Sequence, residues 1–134
     1  VILRIPVYVA KDEKSALSEP KASTLHSYKR MRNAYLKSNG KGDIPAEEEL
    51  AGQVDRVERV TRAESLVDVS YENLLTQRVV YGTPEVVAAR LADLHRNLGL
   101  SGITIEPNVG GRMSHELVIN SLRLLAQEVI PQLR

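Results

Sequence analysis

The stretch EPNVGGRMSHE, residues 106–116, gathers groups that could contact an anionic ligand. Gly110 and Gly111 let the backbone approach a ligand closely and can present amide hydrogens to it. Arg112 follows them as a counter-charge, and Asn108 precedes them with an amide side chain. Two interpretations stay open at this point: the glycine pair faces a ligand, or it only turns the chain from a strand into a helix.

His115 and Tyr8 are the other two candidates for contact with a substrate. His115 stands at the predicted start of the last helix, where it could donate a proton or bind a substrate, or simply be solvated. Tyr8 lies near the end of the first predicted strand and could face the same pocket as Asn108, or pack in the core. His26 and His95 lie in predicted helices and share no ligand spacing, so we expect no metal site.

Several kinds of catalytic centre are excluded because their motifs are missing. The chain contains neither G-x-G-x-x-G nor G-K-[ST], so it carries no dinucleotide fingerprint and no Walker loop. No serine occupies a G-x-S-x-G elbow, and the absence of cysteine excludes disulfides and thiolate ligands. The catalytic residues therefore stay unassigned from the sequence.

The overall charge of the chain does not indicate a particular binding partner. The chain has 18 Lys and Arg against 17 Asp and Glu, a net charge of +1, so no bulk field would attract nucleic acid or an anionic membrane. No apolar run approaches the length of a membrane span, and no signal peptide is apparent. We expect a cytoplasmic protein that binds neither nucleic acid nor membranes.

The elements that must position these residues alternate between strands and helices. Strands are predicted at residues 2–9, 78–82 and 102–106. Pro6 suggests that the first strand lies at an edge, contains a bulge, or has one side without a partner. The predicted helices begin near Asp12 (interrupted by Pro20 and ended by Asn39-Gly40), after the N-cap Thr83 followed by Pro84, and after the N-cap Ser114, with Pro131 as the last stop.

A predicted lid or insertion region spans residues 38–76, between the first two strands. Its first part, KSNGKGDIPAEEEL, is rich in turn-forming residues, and Pro45 can open a helix there. Glu47, Glu48 and Glu49 fall in the first turn of that helix, where they complement its dipole better than they would form a metal site. These turn-forming residues predict an exposed connection or a lid.

Strand and helix alternation with long connections predicts an α/β fold with a parallel sheet. Three strands are too few to cover both faces of such a sheet, so we expect the chain either to pair with copies of itself or to belong to a larger barrel or open sheet. The sequence opens directly on a strand, at Val1, which favours a single partial domain over residues 1–134.

Two segments, YGTPEVVAARLADLHRNLGLSGITIEPNVGG and HELVINSLRLLAQEVIPQLR, resemble the carboxyl-terminal end of the luciferase-like monooxygenase family. The family's G-[TS]-P-E-x-V helix start corresponds to residues 82–85 with Val87. Its glycine turn after the eighth strand corresponds to Gly110 and Gly111, and its final L-x-x-E-V-x-P-x-L phrase to residues 125–133. Residues 4–17 resemble its sixth strand and the following helix, whereas residues 36–76 match only loosely.

The resemblance implies the last three strands of a (β/α)8 TIM-type barrel. It implies an enzyme that uses reduced FMN and dioxygen to oxidise a small organic substrate, or a relative that uses F420 for hydride transfer. Most flavin contacts and catalytic residues would lie upstream of Val1, and a flavin reductase would be a source of reduced flavin. The candidates that face substrate or cofactor are Asn108, Gly110, Gly111, Arg112, His115 and Tyr8.

One alternative belongs to a different functional class. The chain would be a self-contained, non-catalytic α/β module that buries its sheet by forming a homo-oligomer. A homo-oligomer is expected under both interpretations, so association alone does not separate them.

Overall fold

A computed structural model of the protein describes residues 1–40 and 70–133. Within these ranges three strands alternate with helices. They are β1 (Ile2–Val9), α1 (Glu13–Ser18), α2 (Lys21–Gly40), α3 (Tyr71–Gln77), β2 (Val80–Gly82), α4 (Pro84–Leu98), β3 (Gly102–Glu106), α5 (His115–Leu124), a π-helical turn (Leu125–Val129) and a 3-10 turn (Ile130–Leu133). The helix predicted to open at Pro45, and with it most of the predicted lid, lies outside the described residues.

The three strands form one parallel sheet with the order β2-β1-β3, which confirms the predicted α/β class. Val7–Val9 of β1 pair with Val80–Gly82, and Ile2–Pro6 pair with Gly102–Glu106. Strand β2 is shorter than the predicted 78–82, because the N–H groups of Arg78 and Val79 both donate to the C=O of Leu74 and close α3. Three successive strands of a closed barrel would instead place β2 in the middle.

Pro6 lies in the central strand, so the edge interpretation of this proline is wrong. Backbone groups of neighbouring residues in a strand point to opposite sides. The N–H of Ala10 donates to Gly82 on the β2 side, and the N–H of Val9 points the other way. The nitrogen of Pro6 therefore faces the β2 side, where pairing starts only at Val7. A strand side without a partner is the alternative that the structure supports.

Helices of the same chain cover both faces of the sheet at its carboxyl half. On one face α4, α5 and the π-helical turn pack on the strands and form a valine core: Val7, Val9, Val80, Val87, Ala88, Leu91, Leu124, Leu125 and Val129. On the other face α1, α2 and α3 form a tyrosine core: Tyr8, Ala10, Ala16, Tyr28, Tyr71, Leu74, Val79 and Tyr81. Each fully buried valine stabilises the fold by about 1.5–3 kcal/mol. The expectation that three strands leave a face uncovered is wrong for this half of the sheet.

The amino half of the sheet is more open. Ile2 is 67% exposed, and Arg4 and Thr104 are exposed on the face that carries the tyrosine core further along. Arg4 forms an ion pair with Glu106 across this open part of β1 and β3. An exposed pair of this kind contributes little to stability.

The predicted helix boundaries agree with the structure in most places. The side chains of Asp12 and Ser114 accept hydrogen bonds from the backbone and cap α1 and α5, while Pro84 is the first residue of α4. Thr83 occupies the N-cap position without a side-chain hydrogen bond. The last helix differs from the prediction, since its α-helical part ends at Leu124 and π and 3-10 turns complete it.

Candidate functional site

The carboxyl ends of β1 and β3 are where this topology would place a ligand. The chain crosses from β1 to β2 over one face of the sheet and returns to β3 over the other face. Ligands in open α/β sheets bind at the point where the direction of winding reverses, which here lies between β1 and β3. The turn after β3, which contains Asn108–Arg112, lies at this end of the sheet.

Asn108 organises the turn from within. Its C=O accepts a hydrogen bond from the N–H of Gly111 at 3.1 Å, and its Oδ1 accepts one from the N–H of Met113 at 3.2 Å. A side-chain oxygen that bonds to nearby backbone in this way is the ordinary device by which asparagine stabilises a turn. The Oδ1 atom of Asn108 is therefore engaged in the chain's own structure.

Gly110 is where the turn meets helix α2. Its φ of 85° lies in the left-handed region, and a Cβ atom built on it would lie 2.1 Å from the C=O oxygen of Ser23. The hydroxyl of Ser23 donates to the C=O of Val109 at 2.5 Å and accepts from the N–H of Arg112 at 3.1 Å. The turn is therefore docked on the first turn of α2, and Gly110 permits the close approach.

Gly111 differs from its neighbour in its surroundings. Its φ of 68° also requires the left-handed region, but a Cβ atom there would meet no atom within 4 Å. Gly111 serves the conformation of the turn, whereas Gly110 serves both conformation and packing.

Ser23 is the partner that sequence analysis missed. It is buried in α2, 2% exposed, and lies 86 residues from Val109 along the chain. A serine inside a polar helical stretch carries no signal for such a distant contact. Only the folded arrangement identifies it.

Ser121 closes the gap between β1 and α5 at the same end of the sheet. Strand β3 ends at Glu106, so the N–H of Val9 has no strand partner on that side. The buried hydroxyl oxygen of Ser121 accepts this N–H at 2.9 Å. The chain itself therefore supplies an acceptor for the N–H of Val9, at the place where the winding direction of the chain reverses.

Replacing Ser121 with alanine is expected to lower the free energy of unfolding by about 1–3 kcal/mol, because the buried N–H of Val9 would lose its acceptor. Urea denaturation of both proteins measures the change. Ser18→Ala, on an exposed position of α1, is the matched control and should change stability by less than about 0.5 kcal/mol. Equal stability of the Ser121 variant and the wild type would contradict the role given to this hydroxyl.

Tyr8 belongs to the core of the described residues. It is 2% exposed, and its ring packs edge-on against Tyr81 with centroids 6.2 Å apart. Its hydroxyl donates to Oε2 of Glu19 at 2.6 Å. Burial, followed by the hydrogen bond and the charge of Glu19, raises the pKa of Tyr8 above its usual value. Tyr8 is therefore a neutral donor inside the tyrosine core.

His115 and Arg112 are exposed. His115 is the first residue of α5 and lines a pocket of about 690 Å³ together with Ile119, Arg123 and other residues of that helix. Neither Tyr8 nor Asn108 lines this pocket. The structure thus brings Asn108–Arg112 together as a turn. Tyr8 lies in the tyrosine core, and His115 lies on a separate surface of α5.

Three amide groups of the turn are engaged by the chain itself. A backbone cradle for an anion needs free N–H groups that converge on it. Here the N–H groups of Gly111, Arg112 and Met113 all donate to Asn108 or Ser23. We therefore assign no step of a flavin reaction to these residues.

Residues 1–40 and 70–133 contain no group of three or more His, Asp or Glu that could hold a metal ion. Among the helices described in those ranges, none is long and apolar enough to cross a membrane.

Comparison with known proteins adds no family assignment. No protein-family model matches the chain, and no curated protein sequence matches it.

Proposed function

We propose that the chain supplies the last strand and helix units of a luciferase-like flavin-dependent monooxygenase, built as a (β/α)8 barrel. In this proposal the whole enzyme uses reduced FMN and dioxygen, or F420 in a hydride-transfer relative, to oxidise a small organic substrate. Within the turn after β3, the N–H groups of Gly111, Arg112 and Met113 donate to Asn108 and Ser23, so these groups serve the structure of the turn. The flavin contacts and the catalytic residues would lie in other parts of the enzyme.

The observation that carries the proposal is the junction between β2 and α4, where the resemblance is strongest. Gly82 ends β2, and a Cβ atom built there would lie 2.9 Å from Cγ1 of Val86. Pro84 then opens α4, and Glu85 lies in its first turn, where it complements the helix dipole. Gly82, Pro84 and Glu85 thus each have a physical role where the chain passes from strand to helix.

The strand order limits the proposal. A barrel requires β2 between β1 and β3, whereas the described sheet has β1 in the middle. The barrel form of the proposal therefore requires the strands to pair differently in the intact enzyme. Amide hydrogen exchange can test this requirement together with flavin binding.

Flavin binding is the first test. The product of the complete reading frame that encodes this chain should bind FMN or F420 at micromolar concentration, and it should oxidise an organic substrate in the presence of reduced FMN and dioxygen. Quenching of flavin fluorescence on addition of the protein measures this binding. The 134-residue chain serves as the control and should not bind either cofactor. Failure of the complete product to bind FMN and F420 would contradict the proposal.

A second candidate, the self-contained α/β module, is favoured by one specific observation. Helices of the chain cover both faces of the sheet at its carboxyl half, so this part of the core is complete within the described residues. The module predicts that the 134-residue chain unfolds in one cooperative urea transition and that hydrogen exchange protects β1 most strongly. A chain without a cooperative transition would contradict the module and favour the barrel fragment.

A further inference from the structure

The outer side of β3 carries backbone groups without a strand partner among the described elements. The C=O of Val1 accepts a hydrogen bond from the N–H of Ser101, and the N–H of Val9 points away from β2. The backbone N–H and C=O groups of the odd-numbered residues of β1 therefore point toward β3. Leu3 lies opposite Ile103, and Ile5 lies opposite Ile105. In this parallel register the odd-numbered residues of β1 form hydrogen bonds with the backbone groups of the even-numbered residues of β3. The N–H and C=O groups of Ile103 and Ile105 therefore point outward.

These four groups are self-complementary. If a second copy of β3 lies antiparallel with Thr104 opposite Thr104, then Ile103 lies opposite the second copy's Ile105 and the reverse also holds. Directly opposed residues whose backbone groups face each other exchange two hydrogen bonds. The two Ile103–Ile105 pairs would therefore exchange four, which uses every outward N–H and C=O of the two isoleucines in both copies.

The side chains agree with this register. The isoleucine pairs fall on the face of the valine core, where Ile103 and Ile105 are partly buried. The two Thr104 side chains meet on the open face, and Gly102 lies opposite Glu106, so no like charges are directly opposed. Cross-strand pairs of β-branched residues and of threonines are favourable in antiparallel sheets.

A groove with both apolar and polar lining residues adjoins the same strand. Residues of α4, β3 and the 3-10 turn line a pocket of about 520 Å³, including Leu91, Ile103 and Leu133. Leu133 is 42% exposed there. A second copy on β3 would add its own Ile105 beside Ile103 and extend the apolar surface along this groove.

We propose that the chain forms a symmetric dimer in which two β3 strands pair antiparallel about a twofold axis between the two Thr104 residues, giving one six-stranded sheet. An exposed strand edge is a ready template for pairing with another chain, and twofold closure leaves the second copy's edge occupied as well. The dimer belongs to the self-contained module and requires no flavin, because in a closed barrel the outer edge of the last strand would pair with the first strand.

A single engineered cysteine tests the register. In an antiparallel pair, residues opposed without mutual hydrogen bonds have Cα atoms about 4.5 Å apart, which suits a disulfide. The chain has no cysteine, so Thr104→Cys introduces a unique thiol. Under mild oxidation it should give a covalent dimer at least about tenfold faster than Ala89→Cys, the matched control on the exposed side of α4. Equal rates for the two variants would overturn the proposed register.

A charge substitution tests the interface without the thiol. Thr104→Glu lies opposite Arg4 in its own chain, where the charges attract, but opposite a second glutamate in the dimer, where they repel. Analytical ultracentrifugation should show a dimer for the wild type and for Ala89→Glu, and a dimer Kd raised at least about tenfold for Thr104→Glu. A monomeric wild type, or a dimer that Thr104→Glu leaves unchanged, would overturn the proposal. Circular dichroism on each variant confirms that the fold is retained.

Discussion

Replacing Gly110 with alanine is expected to lower the free energy of unfolding by about 2–5 kcal/mol. Two costs add at this position. An alanine at the φ of 85° costs about 1–2 kcal/mol, because the Cβ atom crowds its own backbone in the left-handed region. The same Cβ would lie 2.1 Å from the C=O oxygen of Ser23, and relieving such overlap in a packed region costs about 1–3 kcal/mol.

Gly111→Ala is the matched control because it shares the left-handed conformation but meets no neighbouring atom. We expect it to cost only the conformational part, about 1–2 kcal/mol. Urea denaturation of the three proteins gives the difference directly. If the two variants lose equal stability, the turn does not dock on α2 in the way described.

The comparison also bears on the function of the turn. If Asn108–Arg112 bound a ligand, Gly111→Ala would weaken that binding while leaving most of the stability intact. If the turn is a packing device, the two glycine substitutions affect stability alone, in unequal amounts. The hydrogen bonds of the turn to Ser23 and within itself favour the second outcome.

Local features of the fold were predictable because they depend on neighbouring residues. Pro84 behind Thr83 marks the start of α4, and Gly99, with a φ of 59°, ends it in the left-handed conformation typical of a helix C-terminus. Strand β3 has the predicted bounds of residues 102–106. Such signals need only a few adjacent side chains, so a sequence carries them in full.

Features that depend on distant residues were not predictable. The order β2-β1-β3 results from pairing between segments about 70 and 100 residues apart, and no local pattern encodes it. For the same reason Pro6 left three alternatives open, and only the folded sheet shows that its nitrogen faces a strand side without a partner. The roles of Ser23 and Ser121 likewise come from contacts with Val109 and Val9, which the sequence places far away.

The candidate site was predictable in position but not in chemistry. The glycine turn lies at the carboxyl end of the sheet, as parallel topology requires. Whether its amide groups are available to a ligand depends on what packs against them, and here α2 supplies the partner. A pair of glycines therefore indicates a tight turn of the backbone. Whether the amide groups of that turn can bind a ligand depends on the element that packs against it.

The tyrosine core predicts a loss of stability at alkaline pH. Burial raises the pKa of Tyr71 to about 12 and raises the pKa of Tyr8, Tyr28 and Tyr81 above the ordinary value of 10.0. A raised pKa means that the folded state holds the phenolic proton more tightly than the unfolded chain does. Stability from this source is complete below pH 10 and is lost as the pH rises from 10 through 12 and beyond. The urea midpoint should therefore be constant between about pH 8 and 9 and fall steeply above 10.

Tyr71→Phe separates the tyrosine contribution from that of other groups that titrate at alkaline pH. The variant loses the hydrogen bond from Tyr71 to the C=O of Leu17 and should be about 1 kcal/mol less stable at neutral pH. Because it also lacks one buried phenol, its stability should fall less between pH 10 and 12 than that of the wild type. Urea titrations at each pH, followed by circular dichroism, measure both slopes. Parallel slopes would mean that ionisation of Tyr71 is not linked to unfolding, and they would contradict its burial in the core.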